Sequence, residues 1–365
     1  MEPPCFHERH RLTQPGTHTY NEITSQPTIW QDAMRAFAES SSALKTLWTE
    51  GNFDRVLFTG CGSTYYLAMV GAALFQELTR INTRAYPGSE IALLPSLVLA
   101  PRDKTLLITV SRSGETTETV QAVRVFREHT GSKVVAVTCE SGSTLSLQAD
   151  LNFSIDSAQE TSLAQTRSFA SMLIVVEAIA ALISGQREAQ VQEKLVATVT
   201  RLLSDYATLA RQLGEDRQIE RFFFLGSGAL YGIANEAMLK MKEMSLSYSE
   251  AFHMLEFRHG PMSMVNEHAL VVGSITEEAA PQEIAVLRNM HARGAQILAL
   301  SEQDYGLSEW AHVIPLASGL PGWARPVTYL PVLQLMAYYR ALSNGQNPDQ
   351  PANLSFVIAL DNSMT

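Results

Sequence analysis

Three clusters of residues carry side chains able to do chemistry. The first is Ser111-Arg112-Ser113-Gly114-Glu115-Thr116-Thr117-Glu118-Thr119, which follows the β-like run TLLITV and precedes the helical run QAVRVFRE. Hydroxyls around a single glycine let a backbone approach an anion, and a following helix N-terminus favours negative charge. Such a loop suits a phosphate monoester; a Ser/Thr helix cap with a turn has the same composition. The second cluster is Glu236, Lys240 and Glu243, spaced i, i+4 and i+7, so that a helix would present two carboxylates and an ammonium on one face. An ordinary solvated Glu-to-Lys pair has this spacing too, but Ala237, Met238, Leu239 and Met241 are apolar company for it. A carboxylate partly buried beside a lysine can be tuned as a proton-transferring base. The third cluster, His253, Glu256 and His259, recurs every three residues before Gly260-Pro261. This is not the i, i+4 histidine pair of a zinc helix, and the Gly-Pro predicts a bend that stops the helix there, so no metal is expected.

The elements that must position these residues read as alternating strands and helices. After a polar arm to about Ser25, a lead-in helix is expected over Trp30 to Trp48. Short β-rich runs then alternate with helical ones: RVLFTGCG, TLLITVSRSGE, KVVAVTCESG and LNFSI, and later FFFLGSG, ALVVGSITEE, AQILALSE and HVIPLA. Strands alternating with helices predict parallel sheets covered on both faces, hence an α/β three-layer fold of flavodoxin-like type. The architecture occurs twice. Phe58, Gly60, Gly62 and Tyr65 return as Phe224, Gly226, Gly228 and Tyr231, 166 residues later. The paired glycines suggest a dinucleotide site, but the third glycine of that fingerprint is absent and Tyr65 and Tyr231 are bulky, which argues against it. The expected division is an arm and lead-in helix over 1–40, a first domain over 41–205, a second over 206–346 and a tail over 347–365.

Composition limits the partners. The 365 residues are 46% hydrophobic and 18% charged, enough for about two domains of ordinary size. With 27 Lys+Arg against 37 Asp+Glu the net charge is −10, so no cationic field exists to hold nucleic acid. Cys5, Cys61 and Cys139 form no close pair, which fits a reducing cytoplasm. The N-terminus shows no secretory signal, and the apolar run from Met172 to Ile183 is too short to span a bilayer, so it is read as a buried helix rather than a membrane segment.

Together, the repeated FxGxGxxY strand ends, the SxSGET loop and the LKxKExS…HGP run resemble the double sugar isomerase (SIS) domain family. The similarity is to the isomerase half of glutamine–fructose-6-phosphate aminotransferase and its stand-alone relatives, over nearly the whole chain. It implies a fold of two tandem SIS domains and a sugar phosphate as the small-molecule ligand. The implied phosphate contacts are Ser111, Arg112, Ser113, Thr116 and Thr64, and the implied sugar contacts are Gly62, Ser63, Glu160, Gln165 and Thr166. It implies Glu243 as the proton-shuttling carboxylate, Lys240 beside the substrate, and His259 as the ring-opening acid/base reaching the site from the other subunit of a homodimer. No cofactor is implied. Three departures stand out: Arg112 replaces a common Gln, Gln165 replaces a small hydroxyl residue, and Phe356 stands near where relatives carry a tail lysine. No glutaminase half is expected, so no internal ammonia source. The implied activity is aldose–ketose isomerisation or deamination of a hexose 6-phosphate or amino-sugar 6-phosphate. A fructosamine-6-phosphate deglycase and a non-catalytic phosphosugar-binding regulator are the alternatives.

Overall fold

The computed structural model describes residues 14–99, 104–186 and 190–355. Cys5 and Phe356 lie outside the described residues. Two helices lead in, α1 (Thr17–Thr24) and α2 (Gln26–Gly51). The first lobe runs β1 (Arg55–Gly60), α3 (Ser63–Thr79), β2 (Asn82–Pro87), α4 (Gly88–Leu93), α5 (Pro95–Val98), β3 (Thr105–Ser111), α6 (Thr117–Thr130), β4 (Val134–Thr138), α7 (Thr144–Gln148), β5 (Leu151–Ser154) and α8 (Arg167–Ser184). A long connecting helix, α9 (Val191–Glu215), leads to the second lobe. That lobe comprises β6 (Arg221–Gly226), α10 (Ala229–Ser245), β7 (Tyr248–His253), β8 (Ala269–Ser274), α11 (Ala280–His291), β9 (Gln296–Ser301), β10 (His312–Pro315) and α12 (Leu330–Ser343).

Both sheets are five-stranded and parallel, with orders β2-β1-β3-β4-β5 and β7-β6-β8-β9-β10. The two orders are the same topology. In each, the chain reverses its direction of travel across the sheet between the first and third strands, which is where ligands of such folds sit. The central strands are apolar on both faces because both are covered. Phe222 and Phe224 join the core shared by the lobes, whereas Phe223 and Leu225 point to the opposite face. Burying each phenylalanine contributes roughly 1.5–3 kcal/mol.

The shared core is what fixes the lobes against each other. Helices α3 and α10 cross within it, and a Cβ on Gly232 would lie 2.6 Å from Val70 Cγ2 and 2.8 Å from the Tyr66 carbonyl oxygen. Only a glycine fits that crossing. Helix α8, apolar enough by composition to cross a membrane, is largely buried and packs on α2 and α3. The Met172–Ile183 run thus forms the body of a core helix.

Four expectations need correction. The polar arm is helical from Thr17, because Asp349 accepts hydrogen bonds from the His18 and Thr19 N–H groups and the Thr19 hydroxyl and so caps α1 from across the chain. The tail after Asn347-Pro348 is correspondingly an ordered strap up to Ser355. Strands β2 and β7 carry no strong sequence signal, being polar, half-exposed edges of their sheets. Helix α10 ends at Leu246 in a left-handed cap, well before Gly260-Pro261, which leaves room for β7. The division expected near residue 205, within a helical stretch from about Gln190, coincides with α9.

Candidate active site

At the switch point of the first sheet, β1 ends in Gly60-Cys61-Gly62 and β3 runs into the Ser111–Thr116 loop. Gly62 precedes α3 at φ 56°, ψ −125°, and Gly228 precedes α10 at φ 54°, ψ −128°. These are conformations that L side chains rarely adopt. The repeat of sequence is therefore a repeat of a turn, and each turn aims a helix N-terminus at the strand ends. Thr64 locks its turn from within: its hydroxyl donates to the Cys61 carbonyl and accepts the Cys61 N–H, both at 2.9 Å.

The β3–α6 loop is held by its own hydroxyls. Ser111 Oγ accepts the Gly114 N–H at 3.1 Å and lies 3.5 Å from Thr116 Oγ1, while Ser113 Oγ accepts the Glu115 N–H at 3.2 Å. Thr116 is the residue before α6, so its hydroxyl stands beside the helix's unpaired N–H groups. Behind the loop is a buried ion pair. Arg112 Nη1 lies 3.3 Å from Glu160 Oε2 and donates to the Ser162 carbonyl. Glu160 also accepts the Thr166 N–H and hydroxyl, each at 2.7 Å, and bonds from the Ser168 N–H and hydroxyl. Its oxygens are thus committed to protein partners, and Glu160 acts on the site through Arg112.

Helix α10 enters from the second lobe. Lys240 Nζ lies 2.5 Å from Glu243 Oε2 and 3.4 Å from Glu236 Oε1, and donates to Ser63 Oγ at 3.0 Å. Ser63 in turn donates to Glu236 at 3.3 Å, which ties the N-terminus of α3 to the charges of α10. Lys240 and Glu236 are sealed, whereas the Glu243 side chain keeps 21% of its surface. Burial pushes the Glu236 carboxyl up to about 8, with Glu243 adding to the rise and Lys240 opposing it. Burial alone would lower Lys240, but its two flanking carboxylates outweigh that and raise it. The triad therefore keeps a charged lysine behind a single accessible carboxylate, Glu243.

A cavity of about 180 Å³ joins these parts. Of the expected site residues, Gly62, Ser63, Arg112, Thr116, Gln165, Lys240 and Glu243 line it. Ser111, Ser113, Thr64, Glu160 and Thr166 stand outside its lining, in the turns and the ion pair just described. His259 is exposed after β7 and does not line the cavity of its own chain. His253 stacks on Tyr231 with ring centroids 3.6 Å apart. Sequence reasoning did not single out Cys61, Glu118 or the strap residues Leu354 and Ser355 as lining. Glu118, in the first turn of α6 with one carboxylate oxygen buried and without a partner among the described residues, was readable from its place directly after the loop. The strap had no such signal, because it is held by long-range contacts such as the cap on α1 and the Leu163 N–H bond to the Asp349 carbonyl.

Comparison with known proteins places the chain among relatives. Glutamine–fructose-6-phosphate aminotransferase [isomerizing] of Thermococcus kodakarensis is 29% identical over 353 residues, covering 93% of this chain and 57% of that protein. The enzyme of the same name from Haemophilus influenzae is 29% identical over 360 residues, covering 93% and 58%. The chain thus spans a little over half the length of these relatives. The crystal structure of glucosamine-6-phosphate deaminase from Thermotoga maritima superposes with a TM-score of 0.79 at 26% identity, covering 94% of this chain and all of that one. Tagatose-6-phosphate ketose/aldose isomerase from Escherichia coli superposes at 0.85 with 22% identity, covering 93% and 98%, a likeness of fold. The SIS domain profile matches residues 52–182 and 217–342, one match to each lobe, and the chain belongs to the SIS domain family.

Proposed function

We propose that the chain is a phosphosugar isomerase or deaminase acting on a hexose 6-phosphate or amino-sugar 6-phosphate by proton transfer between C1 and C2. One observation carries the reading: a single cavity is lined by Thr116 of a hydroxyl-rich, helix-terminal loop and by the Lys240–Glu243 pair from the other lobe. The phosphate sits at the loop, where Thr116, Arg112 and the α6 N-terminus favour a dianion. The sugar chain then extends toward α10, past Ser63 and Gln165. Glu243, the accessible carboxylate, takes the proton from one carbon and returns it to the next, and Lys240 beside it stabilises charge developing on the neighbouring oxygen. Where the substrate carries nitrogen at C2, the same shift yields a C2 imine, which water hydrolyses to the ketose and ammonia.

Ring opening is assigned to His259 of a second copy. Its exposure in the single chain and its absence from that chain's own cavity support the assignment. The test is a turnover assay over a panel of hexose 6-phosphates and amino-sugar 6-phosphates, following both isomerisation and amine release. The Glu243→Gln and His259→Ala variants are each expected to be nearly inactive. An equimolar remixed pair should regain about a quarter of parental activity, because half the dimers then hold one intact site. No turnover or binding of any panel member would end the reading, and failure of the mixture to recover activity would end the assignment of His259.

A further inference from the structure

A second cavity, of about 430 Å³, lies between α2, α8 and α9 and shares no lining residue with the cavity just described. Its walls include Phe37 of α2, Ile174 of α8, Leu195 of α9 and Trp323, all apolar. Its volume falls within the range of small-molecule sites, which combine apolar walls with a few placed polar groups. Here the polar groups are the exposed Gln186, just past α8, and Glu177 of α8, the latter only 2% exposed yet part of the cavity wall. Glu177 Oε1 accepts the Val327 N–H at 3.1 Å. Among the described residues Oε2 has no hydrogen-bond partner. It nevertheless keeps some exposed surface, in contrast to Glu236 Oε2 and Glu283 Oε1, which are buried outright without a partner. Burial holds the Glu177 carboxyl well above the usual carboxylate range, which favours its neutral form, a form with an O–H to donate. A purely structural acceptor for Val327 needs one oxygen, and an amide or hydroxyl would serve it. The remaining donor faces an apolar space, where a hydrogen-bonding group without a partner is costly.

We propose that this cavity binds a small, uncharged, largely apolar molecule carrying one hydrogen-bond acceptor, such as a ketone or amide oxygen, which the Glu177 carboxyl grips. An anion is disfavoured by the carboxyl, and a polyol leaves its other hydroxyls unmatched against Phe37 and Trp323. The ligand class is therefore distinct from the phosphosugar of the first cavity.

Prodan, a neutral naphthyl ketone whose emission shifts to the blue in apolar surroundings, is a suitable probe for titration of the full chain. Saturable binding at one site per chain is expected. Ala178→Trp, which places an indole in the cavity from a half-exposed position, should weaken it at least tenfold while circular dichroism stays unchanged. Glu177→Gln, which keeps an acceptor for Val327 and an N–H donor, should bind within about threefold of the parent, and Glu177→Met should bind about tenfold more weakly. Should the methionine variant fail to fold, 2-(dimethylamino)naphthalene, which lacks the ketone, makes the same comparison on the parent chain and should also bind about tenfold more weakly. Absence of saturable binding, indifference to Ala178→Trp, or equal affinity for the ketone-free probe would each overturn the proposal.

Discussion

At the switch point of the first sheet a cavity opens beside Thr116 and is closed by Lys240 and Glu243 of α10. At the switch point of the second, a cavity of about 280 Å³ opens beside Thr276 and is closed by Leu74 and Glu77 of α3. Counted along the 166-residue repeat, Glu77 is the counterpart of Glu243, Leu74 of Lys240, Val70 of Glu236 and the exposed Leu93 of His259. The scaffold is copied; the charges are not. In the second lobe the loop after β8 reads Ser274-Ile275-Thr276-Glu277-Glu278, acidic where the first is hydroxylated. Its anion position is filled from within. Glu283, fourth residue of α11 where α6 has Val120, accepts the Thr276 N–H at 2.7 Å and its hydroxyl at 3.1 Å. Arg325, the cation of that cavity, is 2.7 Å from Glu277 and 3.5 Å from Glu302. A phosphate would meet Glu77, Glu277 and Glu278 there. Burial and the nearby Glu278 already raise the Glu77 carboxyl. One fold thus supplies two clefts, and side-chain charge distinguishes the one to which we assign the phosphate.

The sharpest way to break this comparison is to treat the two equivalent carboxylates alike. Glu243→Gln should cost about 10²–10⁴-fold in kcat with KM little changed, the range of a lost general base. Glu77→Gln, the same substitution at the repeated position, should change kcat by less than about twofold, since it lines the other cavity. Equal losses from both variants would mean that the two clefts work together, and unchanged kcat for Glu243→Gln would remove it from the chemistry.

Copying the apolar Val70 and Leu74 positions of α3 into the first cleft sharpens the same point. Lys240→Leu takes the cation from Glu243 and a hydrogen-bond donor from the buried Glu236 and should lower stability in urea by about 1–3 kcal/mol. Adding Glu236→Val, which reproduces the Val70 and Leu74 pair of α3, should restore most of that stability but none of the turnover. If Lys240→Leu is as stable as the parent, the lysine is not the hub of the triad.

Much of this was legible in the sequence. Eight of the ten strands announce themselves as apolar runs: the six central ones because they are buried on both faces, and the edges β5 and β10 through the runs LNFSI and HVIPLA. The FxGxGxxY repeat marked the two equivalent turns, and the i, i+4, i+7 spacing of Glu236, Lys240 and Glu243 marked one helix face. Strands β2 and β7 were hidden because an edge strand such as NTRAYP or YSEAFH is half solvated and lacks that run. The strap to Ser355 was hidden for a different reason: its order depends on Asp349 bonding to Thr19, 330 residues away. Glu160 was assigned to the sugar, yet its oxygens serve Thr166, Ser168 and Arg112. Which lone pairs of a carboxylate are already taken is a tertiary fact that spacing does not encode.

The smallest expected effect lies in the pH dependence of stability, and it too separates the clefts. Glu236 sits where α3 has Val70, so only the first cleft carries this ionisable group. Its folded pKa of about 8 lies above the ordinary 4.5, so the folded chain keeps a proton that the unfolded chain releases. The stability this contributes is complete below the unfolded pKa and is lost as pH rises through about 8. Glu236→Gln has no proton to release, so its Tm should fall less than that of the parent between about pH 5 and 8.5. Other carboxyls raised by burial, Glu22 and Glu283 among them, add the same sign of slope to both proteins and cancel in the difference. Parallel Tm curves would show that Glu236 is already ionised in the folded chain. In that case Lys240 neutralises it fully, and the accessible Glu243 faces a site one negative charge richer than the triad described here.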